Sequence, residues 1–121
     1  MSQAFTAALL SASTNGRPIK VAATSSPGTT IHTDQTNATG SMDRVTLWAT
    51  NTHTAAVTLT VQWGGTTSPD DHANVVELQP NRRALIADGE PIAGGLVIKA
   101  FAGTTNVVIV SGYVNRVDAF S

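Results

Sequence analysis

The sequence predicts an all-β protein, an antiparallel β-sandwich of about eight strands with jelly-roll-like or immunoglobulin-like topology. Three observations support this fold class: apolar and polar residues alternate in several segments, turn-forming residues separate those segments, and no long amphipathic helical pattern occurs. With 121 residues, the chain has the size of a single domain. We expect a short N-terminal arm or helix over 1–17, a sandwich core over 18–116 and a C-terminal tail over 117–121.

The clearest strand pattern lies in residues 45–63, VTLWATNTHTAAVTLTVQW. In both halves, apolar residues alternate with polar ones at a period of two, which is typical of a strand with one buried face. The residues predicted to face inward are Val45, Leu47, Ala49, Val57, Leu59, Val61 and Trp63. Thr58, Thr60 and Gln62 are predicted to face solvent. Because the polar residues 51–54 favour a turn, the segment is interpreted as a long antiparallel hairpin.

Other segments have similar but shorter patterns. Strands are also predicted at Pro18–Ala23, Thr29–Thr33, Asn74–Leu78, Arg83–Ala87, Leu96–Phe101 and Val107–Val114, with loops at Asp34–Ser41 and Asp88–Gly95. The last strand is apolar on both faces, which indicates a central strand whose second face is covered by the N-terminal segment or by another subunit. Residues 5–13 suit a short helix or an extended arm laid on a neighbour, and both alternatives stay open.

Composition limits the classes of function. Charged residues make up 12% of the chain, against about 25% in ordinary domains. This low charge suits a protein that packs against copies of itself or against a partner. The net charge of −1 and the scattered basic residues argue against nucleic-acid binding. The absence of cysteine excludes disulfides and thiolate metal sites. We expect a soluble protein made in a cytoplasm, with no secretory signal and no membrane contact.

Few residues suggest catalysis. The three histidines, His32, His53 and His72, share no metal-binding spacing. The cluster at residues 68–72 lacks the spaced acidic ligands of a calcium loop, and Asp70 is interpreted as a cap for nearby amides. We therefore predict no catalytic residue, no metal and no cofactor. A small hydrolase remains an alternative, and it would require two of the histidines, or one histidine with Asp70 or Asp71, to converge.

Trp48 permits two interpretations. It lies on the polar face of its predicted strand, where carbohydrate-binding β-sandwiches place aromatic platforms. Alternatively, it packs beneath a loop or against a neighbouring subunit, while Trp63 belongs to the core. If Trp48 is a platform, the loops at 51–54 and 64–74 form the rest of a glycan- or receptor-binding end.

Five segments of the chain resemble a known group of proteins. They are GRPIKVAAT (16–24), SPGTTIHT (26–33), WGGTTSPDD (63–71), LVIKAFA (96–102) and NVVIVSGYVNR (106–116). These segments resemble small virion structural proteins of tailed bacteriophages, most of all capsid decoration (cement) proteins. The resemblance implies a non-enzymatic protein on the capsid surface, assembled in the host cytoplasm. It also implies two partners: the major capsid protein, and further copies of the chain in a homotrimer. A receptor- or glycan-binding module of a head fibre or tail is the alternative within a virion.

We selected interface candidates from the N-terminal segment, from the polar face of the strand carrying Trp48 and from the doubly apolar last strand. They are Phe5, Leu9, Leu10, Trp48, Val108, Val110 and Tyr113.

Overall fold

A computed structural model describes residues 2–35 and 41–120, and its regular elements are nine β-strands. Their bounds are β1 (Ser2–Leu9), β2 (Ile19–Lys20), β3 (Thr29–Thr33), β4 (Met42–Asn51), β5 (Val57–Trp63), β6 (His72–Leu78), β7 (Arg82–Ile92), β8 (Val97–Ala102) and β9 (Val108–Phe120). The strands form two antiparallel sheets that pack together. The predicted all-β sandwich is confirmed.

Sheet A has the strand order β1-β9-β4-β7, and the short β2 also pairs with β9. Sheet B has the order β3-β8-β5-β6. The core lies between the two sheets and consists mainly of valine, leucine, isoleucine and alanine. Its side chains with no exposed surface are Val21, Ile31, Val45, Leu47, Ala49, Leu59, Ile98, Ala100, Ala102, Val108 and Val114.

The predicted hairpin over residues 45–63 is wrong. β4 belongs to sheet A and β5 to sheet B, so the two strands face each other across the core instead of pairing. Asn51 holds the corner between them, because its side-chain amide donates to the carbonyl oxygens of Ala55 and Leu78 at 3.0 Å each. Its Oδ1 accepts the amide of His53 at 2.9 Å. Alternation defines which face of a strand is buried, and it is the same for paired strands and for strands packed face to face.

The inward residues of β4 and β5 were predicted correctly except for Trp63, which is half-buried at the margin of the core. Its indole Nε1–H donates to the carbonyl of Pro91 at 2.9 Å. The predicted outward face of β5 is only partly exposed, because Thr60 and Gln62 are buried while Thr58 is exposed.

The segment at residues 24–28 explains the burial of Gln62. The Oε1 of Gln62 accepts the amide of Gly28, and its Nε2 donates to Ser26 Oγ, both at 2.9 Å. An added Cβ at Gly28 would come within 2.6 Å of the main chain of Ala100. A glycine at position 28 therefore lets this segment approach sheet B closely.

The N-terminal segment is neither a helix nor an arm reaching away from the domain. β1 pairs with the C-terminal half of β9 along its whole length, from Ser2 opposite Phe120 to Leu9 opposite Tyr113. The sandwich therefore spans residues 2–120, and the predicted tail at 117–121 is part of β9 as far as Phe120. A short isolated helix has little intrinsic stability, whereas strand pairing satisfies the backbone of both termini.

β9 is a central strand, as predicted, with β4 on one side and β1 and β2 on the other. No described part of the chain covers its second face completely, since Tyr113 is 42% exposed. At Gly112 the sheet leaves no space for a side chain, because an added Cβ would overlap the carbonyl oxygen of Thr46.

Several strands differ in length from the prediction: β6 begins at His72 instead of Asn74, and β9 continues beyond Val114 to Phe120. β2 is limited to Ile19–Lys20, and β7 continues to Ile92 through part of the predicted loop. The register between β4 and β7 shifts twice, near Val45 and Leu47. Such bulges let a strand continue through residues that lack a regular alternation.

Candidate functional site

The outer face of sheet A carries a stripe of large apolar side chains, which we call the apolar stripe: Leu9, Tyr113, Trp48 and Leu85. The stripe crosses all four main strands of the sheet. Strand register places Leu9 opposite Tyr113 and Leu85 opposite Trp48, and the ring centroids of Trp48 and Tyr113 are 6.1 Å apart. Leu9 is 54% exposed, Leu85 53% and Tyr113 42%. Beside Leu9 and Tyr113 lies an open apolar depression of about 240 Å³.

Strand alternation explains why these side chains point outward. Val45, Leu47 and Ala49 of β4 are fully buried in the core, so Trp48 between them lies on the opposite face. In β9, Val114 is buried and Tyr113 beside it faces outward. The apolar stripe is therefore fixed by the same packing that forms the core.

The electrostatic character of this face is mostly neutral. The carbon of the Arg83 guanidinium lies 4.8 Å from the centroid of the Trp48 ring, a cation–π contact that covers one side of the indole. Thr50 and Ser111 lie beside Trp48 on the neighbouring outward positions. A partner on this face would meet apolar and neutral polar groups at the stripe, with three exposed basic side chains around it, Arg83, Arg44 and Lys20.

A buried polar network links the two sheets near one end of the sandwich. The Nε2–H of His32 in β3 donates to Asp43 Oδ2 in β4 at 2.7 Å, and neither side chain has exposed surface. The Nε of Arg116 in β9 donates to Asp43 Oδ1 at 2.8 Å. The amide of Ser11 donates to His32 Nδ1 at 3.0 Å. Because Nδ1 accepts this amide, the ring proton lies on Nε2.

The charge of Asp43 is maintained by its hydrogen bonds. Burial by itself would raise the pKa of this carboxyl, but the hydrogen bonds from Arg116, His32 and the amide of Gln35 outweigh burial. The net effect is a pKa below the ordinary value of 3.8. Asp43 is therefore a carboxylate whose charge is compensated within the chain.

The geometry of this network differs from that of a catalytic triad. Both ring nitrogens of His32 already have partners, and the ring is closed to solvent. Ser11 contributes its backbone amide, while its hydroxyl accepts the amide of Thr33 at 2.7 Å. A general base needs a free nitrogen within reach of the nucleophile's proton, so this arrangement suits a structural role.

The other two histidines lie in separate surroundings. The ring of His72 meets the ring of Phe101 edge-on at 5.8 Å, and the Nε2 atoms of His72 and Gln62 are 3.5 Å apart. His53 lies at the corner after β4 and donates its amide to Asn51. In the described part of the chain, no three histidine, aspartate or glutamate side chains form a group able to hold a metal ion.

The turn at residues 68–72 uses a different aspartate from the one predicted. Asp71 accepts the amide of Thr67 at 2.9 Å through its side chain, and its backbone carbonyl accepts the amide of Trp63 at 2.8 Å. Asp70 is exposed at the tip of this turn. The interpretation of the cluster as a capped turn is thus correct, but its capping residue is Asp71.

The interface candidates fall into three groups. Leu9, Trp48 and Tyr113 lie together in the apolar stripe. Three other candidates prove to be core residues and present no surface to a second chain: Leu10 is 2% exposed, Val108 0% and Val110 1%. Val108 and Val110 were predicted to lie at an interface because their strand is apolar on both faces, and such a sequence does not show which face lies inward. Phe5 lies in β1 opposite Val117, and its side chain is outside the described residues.

Sequence reasoning missed Leu85 and the partners of His32. Leu85 lies two residues from the exposed Arg83. Because residues two apart in a strand share a face, this spacing predicts an outward position for Leu85. Asp43 shares the parity of Val45 and Leu47, which predicts that it faces the core. The partner of this buried charge, Arg116, is distant in sequence and was not predictable from local pattern.

Comparisons with known proteins add no relative to this description. Across residues 2–35 and 41–120, no helix has the length and apolar character needed to cross a membrane. No protein-family model, curated protein or solved structure matches the chain.

Proposed function

We propose that the protein is a non-enzymatic structural protein of a phage virion, a decoration or cement protein that binds the outer capsid shell as a homo-oligomer and stabilises it. The observation that carries this proposal is the apolar stripe on the outer face of sheet A. Leu9, Tyr113 and Leu85 expose about half of their surface on a rigid sheet. The largest exposed apolar patch on a typical monomer covers roughly 300–600 Å² and is often functional.

The shape and charge of this face suit a protein partner. The strands beneath the stripe are held by the core, so the surface is largely preformed and little conformational entropy is lost on binding. Aromatic residues and arginine are enriched in protein interfaces, and Trp48 contacts both Tyr113 and Arg83 here. The low content of charged residues fits a molecule that works in contact with neighbours.

The identity of the partner follows from the resemblance to phage virion proteins. The major capsid protein is the proposed partner on the shell, and three copies per assembly is the number that the resemblance implies. The non-enzymatic part of the proposal is supported by His32, whose two nitrogens are engaged by Asp43 and Ser11. The location proposed is the capsid surface, reached after assembly in the host cytoplasm.

Purified particles of the phage that encodes the chain provide the test. We expect the protein in these particles at a fixed ratio to the major capsid protein, measured by quantitative mass spectrometry. Leu85→Lys places a charge in the apolar stripe and is expected to lower occupancy at least tenfold. Thr58→Lys, at an exposed position on sheet B, is the matched control and keeps full occupancy. Particles that lack the protein, or that bind both variants equally, would contradict the proposal.

A glycan- or receptor-binding module is the second candidate, favoured by one specific observation. Trp48 and Tyr113 form an aromatic pair on a sheet surface, as carbohydrate platforms do. Arg83 covers one side of Trp48, so Tyr113 is the more accessible ring. A glycan array separates the candidates: binding that disappears in Trp48→Ala and Tyr113→Ala supports this module, and an array without signal counts against it.

A further inference from the structure

The four outer edges of the two sheets differ in how well they are protected. The edge of β3 is covered by the segment that follows β1, since the amide of Ala12 donates to the carbonyl of Ile31 at 3.3 Å and Ser11 Oγ accepts the amide of Thr33 at 2.7 Å. On the other side of the sandwich, the edge strands β6 and β7 contact each other. Three of the four edges therefore have neighbours within the chain.

β7 also carries the features that discourage pairing with another chain. Its register against β4 is interrupted twice, and its sequence, RRALIADGEPI, includes four charged residues, together with a glycine and a proline. Bulges, charges and proline are the devices by which natural sheets protect an exposed edge.

β1 has none of these protections. Its sequence, SQAFTAAL, contains no charged residue, no proline and no glycine. Its pairing with β9 runs through eight consecutive residues without a shift in register. Within the described residues, no strand pairs with its other side. Such a regular, uncharged edge exposes a row of backbone donors and acceptors to any extended chain.

We propose that β1 pairs antiparallel with β1 of a second copy of this chain across a twofold axis. Strand pairing needs an unprotected edge on both molecules, and among the four outer edges of the described sheets β1 is the one without a covering segment, a neighbouring edge strand, a shift in register or a charge. A twofold contact uses the same strand twice, and an uncharged strand brings no like charges together. The two β1-β9-β4-β7 paths of sheet A would join into one continuous path of eight strands, with β2 of each copy also paired to β9.

The surroundings of β1 favour this contact. Thr6, Ala7 and Leu9 are exposed next to the edge, and the apolar depression beside Leu9 and Tyr113 lies at the end of the strand. A second β1 would cover part of this surface and satisfy the open backbone groups at the same time. The inference concerns the free protein in solution, where the twofold dimer is a different assembly from the three copies that the resemblance implies on the shell, and it does not rest on the proposed virion role.

Light scattering after size exclusion tests the pairing on the full chain. We expect a dimer of two 12.5 kDa chains that dissociates on dilution. In the double variant Thr6→Lys/Ala7→Lys, the added charges oppose pairing of the two edges, and we expect at least a tenfold weaker dimer. Thr58→Lys on sheet B is the matched control and leaves the dimer unchanged. A circular dichroism spectrum of each variant establishes that the sandwich is folded.

A cross-link provides a readout that does not depend on weakening the contact. The chain contains no cysteine, so Thr6→Cys introduces a single thiol near the middle of β1. We expect rapid oxidation to a covalent dimer, with much slower oxidation of Thr58→Cys. A wild-type monomer, a trimer, or a dimer unaffected by the lysines and not cross-linked through position 6 would overturn the inference. Occupancy on phage particles is measured separately, so failure here leaves the proposed function untouched.

Discussion

Two regions of the molecule depart from the usual distribution of polar and apolar residues, and they do so in opposite directions. The His32–Asp43–Arg116 network buries charge inside the sandwich, while the apolar stripe exposes large apolar side chains outside it. The buried network is satisfied within the chain: His32 donates to Asp43, Arg116 pairs with it, and the amides of Gln35 and Ser11 complete the hydrogen bonds.

The apolar stripe has no such compensation in the described chain. Its members lie on strands whose opposite faces already form the core, so the fold does not need them for internal packing. The two regions therefore indicate different roles. Buried charged groups whose hydrogen bonds are all made within the chain indicate a structural role, whereas large apolar side chains left exposed on a sheet indicate contact with a partner.

Asp43→Asn is expected to cause the largest loss of stability. The substitution removes the carboxylate that accepts from both His32 and Arg116, and with it the negative charge that faces the Arg116 guanidinium. Removing one member of a buried pair typically costs about 3–5 kcal/mol. Because the Arg116 side chain is 23% exposed, we expect about 3 kcal/mol, the low end of that range. Urea unfolding measures this change, and Asp70→Asn, in an exposed turn, is the control. An equal effect of both substitutions would contradict a structural role for the network.

Asn51→Ala tests a second buried polar group at the corner between the sheets. The alanine leaves the carbonyls of Ala55 and Leu78 without the donors they have now. Since unsatisfied buried groups cost about 1–3 kcal/mol each, we expect a loss of about 2 kcal/mol in unfolding free energy. The control is Thr54→Ala at an exposed position in the same connection. A loss below about 0.5 kcal/mol would show that the corner does not depend on Asn51.

Acid is expected to weaken the wild-type protein through Asp43. The pKa of Asp43 is lower in the folded chain than its ordinary value of 3.8. A lowered pKa gives stability that is fully present above the unfolded-state pKa of about 3.9 and is lost as pH falls through the folded-state pKa. Urea midpoints from pH 5 to pH 2 should therefore fall less in Asp43→Asn than in the wild type. Parallel curves for the two proteins would contradict this assignment.

Substitutions in the apolar stripe are expected to have the smallest effect on stability. Leu85→Ser removes an exposed apolar side chain outside the core, so we expect a change within about 0.5 kcal/mol. Urea unfolding of Leu85→Ser measures it, with Leu47→Ala in the core as the contrasting variant at about 2–5 kcal/mol. A loss of similar size for both would mean that the stripe stabilises the fold and would remove the contrast between the two regions.

The sequence pattern predicted the buried face of a strand better than it predicted which strands pair. The alternation around Leu47 and Leu59 located two strands and their buried sides, because burial of one face is a local property of a strand. The same alternation could not show that β4 and β5 belong to different sheets. The identity of a partner strand depends on contacts that are distant along the chain.

β1 and Arg116 illustrate the same limit. The alanine-rich segment before Leu10 favours a helix locally, but its pairing with β9, more than a hundred residues away, determines its structure. Arg116 finds Asp43 through the register of β4 and β9, which no local pattern specifies. Three of the four residues of the apolar stripe, Leu9, Trp48 and Tyr113, were nevertheless among the interface candidates chosen from the sequence, and Trp48 and Tyr113 alternate with buried residues.

We propose that the apolar stripe is a contact surface on the virion. Hydroxyl-radical footprinting of the protein, free in dilute solution where the proposed dimer dissociates and bound to purified particles, tests this most directly, with mass spectrometry to quantify oxidation of Trp48 and Tyr113. We expect strong protection of both rings on particles, while His53, which lies at the β4–β5 corner, stays equally reactive in the two states. Equal oxidation of Trp48 and Tyr113 in free and particle-bound protein would contradict it.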